Sequence, residues 1–244
     1  MMKTKLTLLF IALVGALGLV SAQATEECIT TMSIFSEHAK VKNYDAAYEP
    51  FMKLRKECPT TSYALYQYGE RILHYKIENS TGAEQKAFLD DLKKLNEEKK
   101  THFASKAKEG DDISDVALTM YENKIGTAEE QYEMFNKAWK ADSKTFKNPK
   151  GLYVFFNLAV ALQEAGKIEL QEVFDLYDGI QEQITTIQNE YAKNLEVILE
   201  KNEAGTALSS KEKQIEKYAE SNLSNYSKVS SGVNGMLGKL ADCD

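Results

Sequence analysis

Apolar side chains recur three and four positions apart through most of the chain, with polar side chains between them. The stretch NYDAAYEPFMKLRKECP is typical, because its apolar positions fall on one helical face and a proline directly follows the pattern. Such spacing predicts amphipathic helices. Alternation of apolar and polar residues, which would predict strands, is nearly absent. The pattern therefore predicts an all-α protein.

Two neighbouring patterns have the spacing of a helical repeat. The first consists of Asn43, Tyr44, Ala47, Phe51, Leu54 and Pro59, and the second of Leu65, Tyr68, Gly69 and Ile72. The second pattern begins at Ser62, one tetratricopeptide-repeat length after Cys28. The first pattern resembles the second helix of such a repeat, and the second resembles the first helix of the next. Small residues at Ala47 and Gly69 suit a close approach of two helices.

Later segments also predict helices that pack in pairs. Residues 111–142 carry an apolar pattern on each side of a turn near Gly126, and residues 151–177 carry one on each side of Gly166. Residues 83–108 predict a single long, charged helix. The resemblance implies antiparallel hairpins stacked into a superhelix. A generic helical bundle is the alternative that the pattern leaves open.

The last third of the chain has a different pattern. Apolar residues from Val173 to Ile198 follow near-heptad spacing, which predicts a helix longer than those of ordinary repeats. A second apolar stripe runs through residues 211–240, after a turn-forming segment at 202–210. We expect an intramolecular hairpin of two long helices. The alternative is a coiled-coil arm that associates with a partner helix.

The amino-terminal segment predicts export. Residues 1–22 combine Lys3 and Lys5 with an apolar run from Leu6 to Val20 and a small-residue ending, as a signal peptide does. The alternative, a retained membrane anchor, would require a longer run of about 20 apolar residues. We therefore expect a periplasmic or secreted protein. It would consist of a signal peptide at 1–22, helical repeats at 23–166 and a long hairpin or coiled-coil-like segment at 167–244.

Charge narrows the class of partner. The chain has a formal net charge of -7, and removal of Lys3 and Lys5 with the signal peptide would change it to -9. An acidic surface repels nucleic acid and anionic lipid. We expect neither nucleic-acid binding nor membrane insertion after signal removal.

The three cysteines are Cys28, Cys58 and Cys243. If residues 29–41 and 44–57 form antiparallel helices of about 20 Å each, Cys28 and Cys58 lie at the same end of the hairpin. In an exported protein such a pair is expected to form a disulfide, and two free buried thiols are the alternative. Cys243 indicates either an intermolecular bond or a longer protein of which this chain is the amino-terminal part.

Motifs for catalysis or metal binding are missing from the sequence. The three histidines are scattered, and the sequence contains no HExxH, CxxC, GxSxG or glycine-rich phosphate loop. We therefore predict a protein without enzymatic activity, and without a metal or another cofactor.

The resemblance implies a binding surface instead. In tetratricopeptide repeats the first helices line a groove that holds a protein or peptide segment. Carried over residue by residue, this role falls on Tyr63, Tyr66, Glu70, Leu73, His74, Tyr153, Phe156, Val160, Gln163 and Glu164. The alternative for each is a core contact with the next hairpin.

The sequence thus predicts an exported, non-enzymatic protein-interaction scaffold of the cell envelope. A structural protein that self-associates through its long helices is one alternative, and a small-molecule or glycan-binding module is another.

Overall fold

The structure is a computed structural model that describes residues 26–241. Within these residues the protein is helical and contains no strand, so the all-α prediction is confirmed. The predicted signal peptide at 1–22 and Cys243 lie outside the described residues.

Short connections join the helices of the described part. The helices are α1 (26–40), α2 (Tyr44–Glu57), α3 (Ala64–Glu78), α4 (Gly82–His102), α5 (Glu109–Glu122), α6 (Ala128–Asp142), α7 (Pro149–Glu164), α8 (Leu170–Glu203) and α9 (Ser210–Ala241). The long charged helix predicted at 83–108 ends earlier, at His102, because Phe103 turns inward and packs its ring against Tyr63 and Tyr66.

The helices form two compact units that divide between Ala107 and Lys108. The first unit contains α1 to α4, and the second contains α5 to α9. The change of pattern that the sequence shows near residue 167 lies inside the second unit, where α7 packs against α6 as well as against α8 and α9.

The first unit is built around Phe51. This side chain is fully buried, and its ring centroid lies 5.9 Å from that of Phe35 on α1. Gly69 of α3 lies directly against the same ring, and a Cβ atom at Gly69 would overlap it. The absence of a side chain at Gly69 therefore lets α2 and α3 approach closely, as its position in the predicted pattern indicated.

A disulfide joins α1 to the end of α2. Cys28 and Cys58 are bonded, with their Cα atoms 5.9 Å apart. The predicted pairing is confirmed. It follows from the similar lengths of the two antiparallel helices, which place both cysteines at one end of the hairpin.

Local signals explain where the helices of the second unit begin. Thr127 and Glu130 form a reciprocal capping box at the start of α6. At the start of α7 the Asn148 side chain accepts a hydrogen bond from the Gly151 amide at 3.0 Å, and Pro149 occupies the first turn, where its missing N–H is not needed. The predicted hairpins at 111–142 and 151–177 correspond to α5 with α6 and to α7 with the first part of α8.

Aromatic rings fill the core of the second unit. Phe135, Phe146 and Phe155 are buried, and the centroid of the Phe135 ring lies 5.7 Å from that of Phe155 and 5.9 Å from that of Phe146. These rings come from α6, from the connection before α7 and from α7 itself. They hold the three segments in one core.

The long helices α8 and α9 pack against each other, which confirms the predicted intramolecular hairpin. They contain 34 and 32 residues, respectively. At 1.5 Å per residue each is about 50 Å long. Gly205 lies in the connection with a φ of +67°, a conformation that glycine adopts without strain.

Candidate functional site

Two of the candidate tyrosines pack toward the end of α4. Tyr66 is fully buried, its ring centroid lies 5.5 Å from that of Phe103, and its hydroxyl donates a hydrogen bond to the Pro59 carbonyl oxygen at 3.1 Å. Tyr63 is half-buried, with its ring centroid 5.7 Å from that of Phe103. Burial, with a contribution from the negative charge of Glu98, raises the pKa of Tyr66 to about 12. Tyr66 is therefore a neutral core residue.

The other candidates on α3 divide between core and surface. Leu73 is fully buried, whereas Glu70 and His74 are half-buried. Glu70 accepts a hydrogen bond from the buried Lys99 ammonium group of α4. Tyr66 and Leu73 are therefore buried in the core of the first unit.

Arg55 connects α2 to α4 in the same unit. Its Nη1 donates to both carboxylate oxygens of Asp91 at 2.9 Å, and its Nε and Nη2 donate to Glu98 at 2.8 and 3.1 Å. Burial alone would lower the pKa of the guanidinium group, but hydrogen bonding to Glu98 and the charge of Asp91 raise it above its ordinary value. The Arg55 group is thus a buried structural link between helices.

The solvent-facing side of α3 carries residues that sequence analysis missed. Gln67, Arg71 and Glu78 are exposed, and the half-buried His74 completes a line with spacings of four, three and four. The Arg71 guanidinium carbon lies 5.3 Å from the centroid of the Tyr68 ring, so the cation rests on an aromatic face.

This line could have been found from the sequence. Leu65, Gly69 and Ile72 were assigned to the core, and a helix of 3.6 residues per turn places Gln67 and Arg71 on the opposite side. Of the predicted residues on α3, His74 belongs to this line. Tyr63, Tyr66, Glu70 and Leu73 instead lie about a quarter turn away, on the side that packs against α4.

The candidates of the second unit all lie on α7 and differ in burial. Phe156 is fully buried, and its ring centroid lies 6.1 Å from that of Tyr177 on α8, while Val160 is also buried. Tyr153 is 40% exposed and lies beside Gly232 of α9. The remaining two candidates, the half-buried Gln163 and the exposed Glu164, lie at the end of α7.

Two depressions on the surface of the described residues differ in size and openness. A cavity of about 60 Å³ adjoins the disulfide, which is well below the roughly 300 Å³ at which small-molecule sites begin. An open depression of about 570 Å³ follows the outer side of α8 between Asn189 and Glu203. No group of three or more metal-ligating side chains comes together within residues 26–241. In that range no helix is both long and apolar enough to span a membrane.

Comparison with known proteins gives no relative. No family model, no curated protein and no solved structure matches this chain significantly.

Tyr66 and Tyr63 differ in burial, and this difference predicts that their replacement changes the free energy of unfolding by different amounts. Replacement of Tyr66 by Ala is expected to lower the free energy of unfolding by about 3 to 5 kcal/mol, because it removes a large aromatic side chain from a closed core. Replacement of the half-buried Tyr63 is expected to cost less. The measurement is denaturant unfolding followed by circular dichroism. Gln67→Ala is the matched exposed control, and equal stability of Tyr66→Ala and this control would contradict the assignment.

Proposed function

We propose that this chain is an exported, non-enzymatic interaction scaffold of the cell envelope. Its tetratricopeptide-like helical hairpins bind a protein or peptide segment.

The observation that carries this proposal is the order in which the helices pack. The main contacts in the first unit join α2 with α3 and α3 with α4. In the second unit they join consecutive helices from α5 to α9, and also α5 with α7 and α7 with α9. Contacts limited to near neighbours in the chain are typical of helical-repeat proteins, which use their extended surfaces to bind other proteins.

The solvent-facing side of α3 carries the side chains that best suit peptide binding. Arg71 and Arg55 are the only arginines of the sequence, and Arg55 is buried in its carboxylate network. Arg71 is exposed and supported by the Tyr68 ring. Arginine and tyrosine are enriched at the energetic centres of protein interfaces. A guanidinium group can bind a carboxylate through two parallel hydrogen bonds, so a peptide with an acidic side chain fits this surface.

The disulfide supports export, since disulfides persist in oxidising compartments and are rare in the cytosol. A mature chain that begins at Gln23 is expected in the native envelope. Amino-terminal sequencing of the purified protein checks this, and an intact residue 1 would contradict signal cleavage.

Site-specific photocrosslinking tests the binding surface. A photoreactive residue at Gln67 of the full chain, in its native envelope, is expected to capture one defined polypeptide, which mass spectrometry identifies. The same group at Ala87, an exposed position of α4, is the matched control. Arg71→Ala is expected to reduce capture from Gln67 by about tenfold, which corresponds to about 1.4 kcal/mol. Equal capture from both positions, or capture unaffected by Arg71→Ala, would argue against this surface.

A further inference from the structure

α1 supports the solvent-facing line of α3, which we call the Arg71 surface and which consists of Gln67, Arg71, His74 and Glu78. The centroid of the Phe35 ring on α1 lies 6.0 Å from that of Tyr68 on α3, with the two ring planes at 73°. The Arg71 guanidinium carbon lies 5.3 Å from the centroid of the same Tyr68 ring. Edge-to-face contacts orient aromatic rings. The position of the Arg71 guanidinium group therefore depends on α1, although Arg71 itself lies on α3.

Side-chain packing holds α1 only weakly. Of its 15 residues, only Phe35 and Ala39 are buried. The Lys53 ammonium group of α2 pairs with Glu27, but these side chains are 41% and 58% exposed, and an ion pair in water contributes little. A helix of this length is marginally stable in water without tertiary support. The docking of α1 therefore depends on a further link.

The Cys28–Cys58 disulfide fixes the start of α1. Cys28 lies in the first turn of α1, and Cys58 directly follows α2. Phe35 lies seven residues after Cys28, which is nearly two helical turns, so both side chains project to the same side of α1. The bond thus holds this side of α1 against α2, where the centroid of the Phe35 ring lies 5.9 Å from that of Phe51.

The disulfide lies at the surface, where a thiol can reach it in the folded protein. Cys28 is half-buried, Cys58 is 8% exposed, and both line the depression of about 60 Å³. The thiolate of a dithiol attacks one sulfur, forms a mixed disulfide with it and displaces the other cysteine as a thiolate. The second thiol of the dithiol then displaces the first cysteine. The dithiol becomes a disulfide, and the two cysteines take up its two electrons and two protons.

We propose that the Cys28–Cys58 disulfide is a redox switch for the Arg71 surface. In the oxidised chain, α1 holds the Phe35 ring against Tyr68, and Tyr68 supports the Arg71 guanidinium group. Reduction by a dithiol releases the start of α1, so this helix opens locally. The Phe35 contact is then lost, and Tyr68 and Arg71 are free to reorient.

This release weakens the binding of an acidic peptide at the Arg71 surface. A guanidinium group that is already held in position loses less freedom on binding a carboxylate than a mobile one does. The effect on peptide binding rests on the proposed function. The coupling between the disulfide and Arg71 does not, so the two are tested separately.

NMR signals of the arginine side chains test the coupling without a partner. Arg71 and Arg55 are the only arginines of the sequence, so the full mature chain with ¹³C-labelled arginine gives two sets of signals. The Tyr68 ring shifts those of Arg71, and Tyr68→Leu gives their position without the ring. On reduction, the Arg71 signals are expected to move at least about halfway toward that position. The Arg55 signals are the internal control, because Arg55 joins α2 to α4.

Two variants serve as controls, and all samples carry Cys243→Ser. Phe35→Leu in the oxidised chain is expected to move the Arg71 signals in the same direction as reduction, with the disulfide intact. Cys28→Ser with Cys58→Ser is expected to give the reduced position whether or not reductant is present. Arg71 signals that stay at the oxidised position after reduction, or that do not respond to Phe35→Leu, would overturn the proposal.

Photocrosslinking from Gln67 in the native envelope tests the effect on binding. The chain with Cys28→Ser and Cys58→Ser is expected to capture about tenfold less of the partner than the disulfide-bonded chain. Equal capture by the two chains would overturn the redox switch, even if the Arg71 signals move. No capture by the disulfide-bonded chain would instead contradict the proposed function, and the Arg71 signals would then decide the coupling alone.

Discussion

Reduction of the Cys28–Cys58 disulfide is expected to lower the free energy of unfolding of the first unit by about 3 to 4 kcal/mol. The bond closes a loop with a sequence separation of 30 residues, which restricts the unfolded chain. It also joins α1, the first helix described, to the end of α2. Loss of the bond frees the first turn of α1, so α1 is expected to lose its protection against amide hydrogen exchange first.

Denaturant unfolding with and without reductant measures this effect. All samples carry Cys243→Ser, so that the third thiol does not contribute. The double replacement Cys28→Ser with Cys58→Ser should unfold at the same denaturant concentration whether or not reductant is present, and near the reduced unaltered chain. The second unit has no part in the disulfide, so its transition serves as an internal control. An unchanged first transition after reduction would remove the stabilising role of the bond.

The helices, the first hairpin and its disulfide could be predicted because local spacing determines them. Gly69 is an example of a tertiary contact that local spacing predicts. Its place in the apolar pattern indicated a close helix approach, and the structure places it against the Phe51 ring. The cysteine pairing needed only two helices of similar length and a tight turn between them.

The burial of the α3 side that carries Tyr63 and Tyr66 was harder to predict, because it depends on residues far along the chain. Tyr63 and Tyr66 suit either a core or a surface, since a tyrosine has an apolar ring and a polar end. This side of α3 faces inward because Phe103 and Lys99 pack against it. No local pattern near α3 reveals this contact.

The boundary of the second unit was hard to predict for a similar reason. The near-heptad spacing of α8 suggested a separate segment after residue 166. Yet α8 packs against α7 as well as against α9, through contacts such as Phe156 with Tyr177. A change in the spacing of apolar residues therefore does not mark the start of a separate hydrophobic core.

Replacement of Arg55 by Met is expected to destabilise the first unit by about 3 to 5 kcal/mol. Only 5% of the Arg55 side chain is exposed, and its partners Asp91 and Glu98 are 21% and 23% exposed. Methionine fills much of the same volume but leaves two carboxylates close together without the cation that neutralises them. Denaturant unfolding of the oxidised chain measures the loss.

The triple variant Arg55→Met, Asp91→Leu and Glu98→Leu separates charge from packing. A buried ion network gains Coulomb energy but has a large desolvation cost, and apolar residues of similar size often replace it without loss. The triple variant is therefore expected to regain most of the stability that Arg55→Met loses. If it is no more stable than Arg55→Met, the arginine holds α2 against α4 through its shape and its contact with the Phe51 ring, 5.2 Å away, rather than through the two carboxylates.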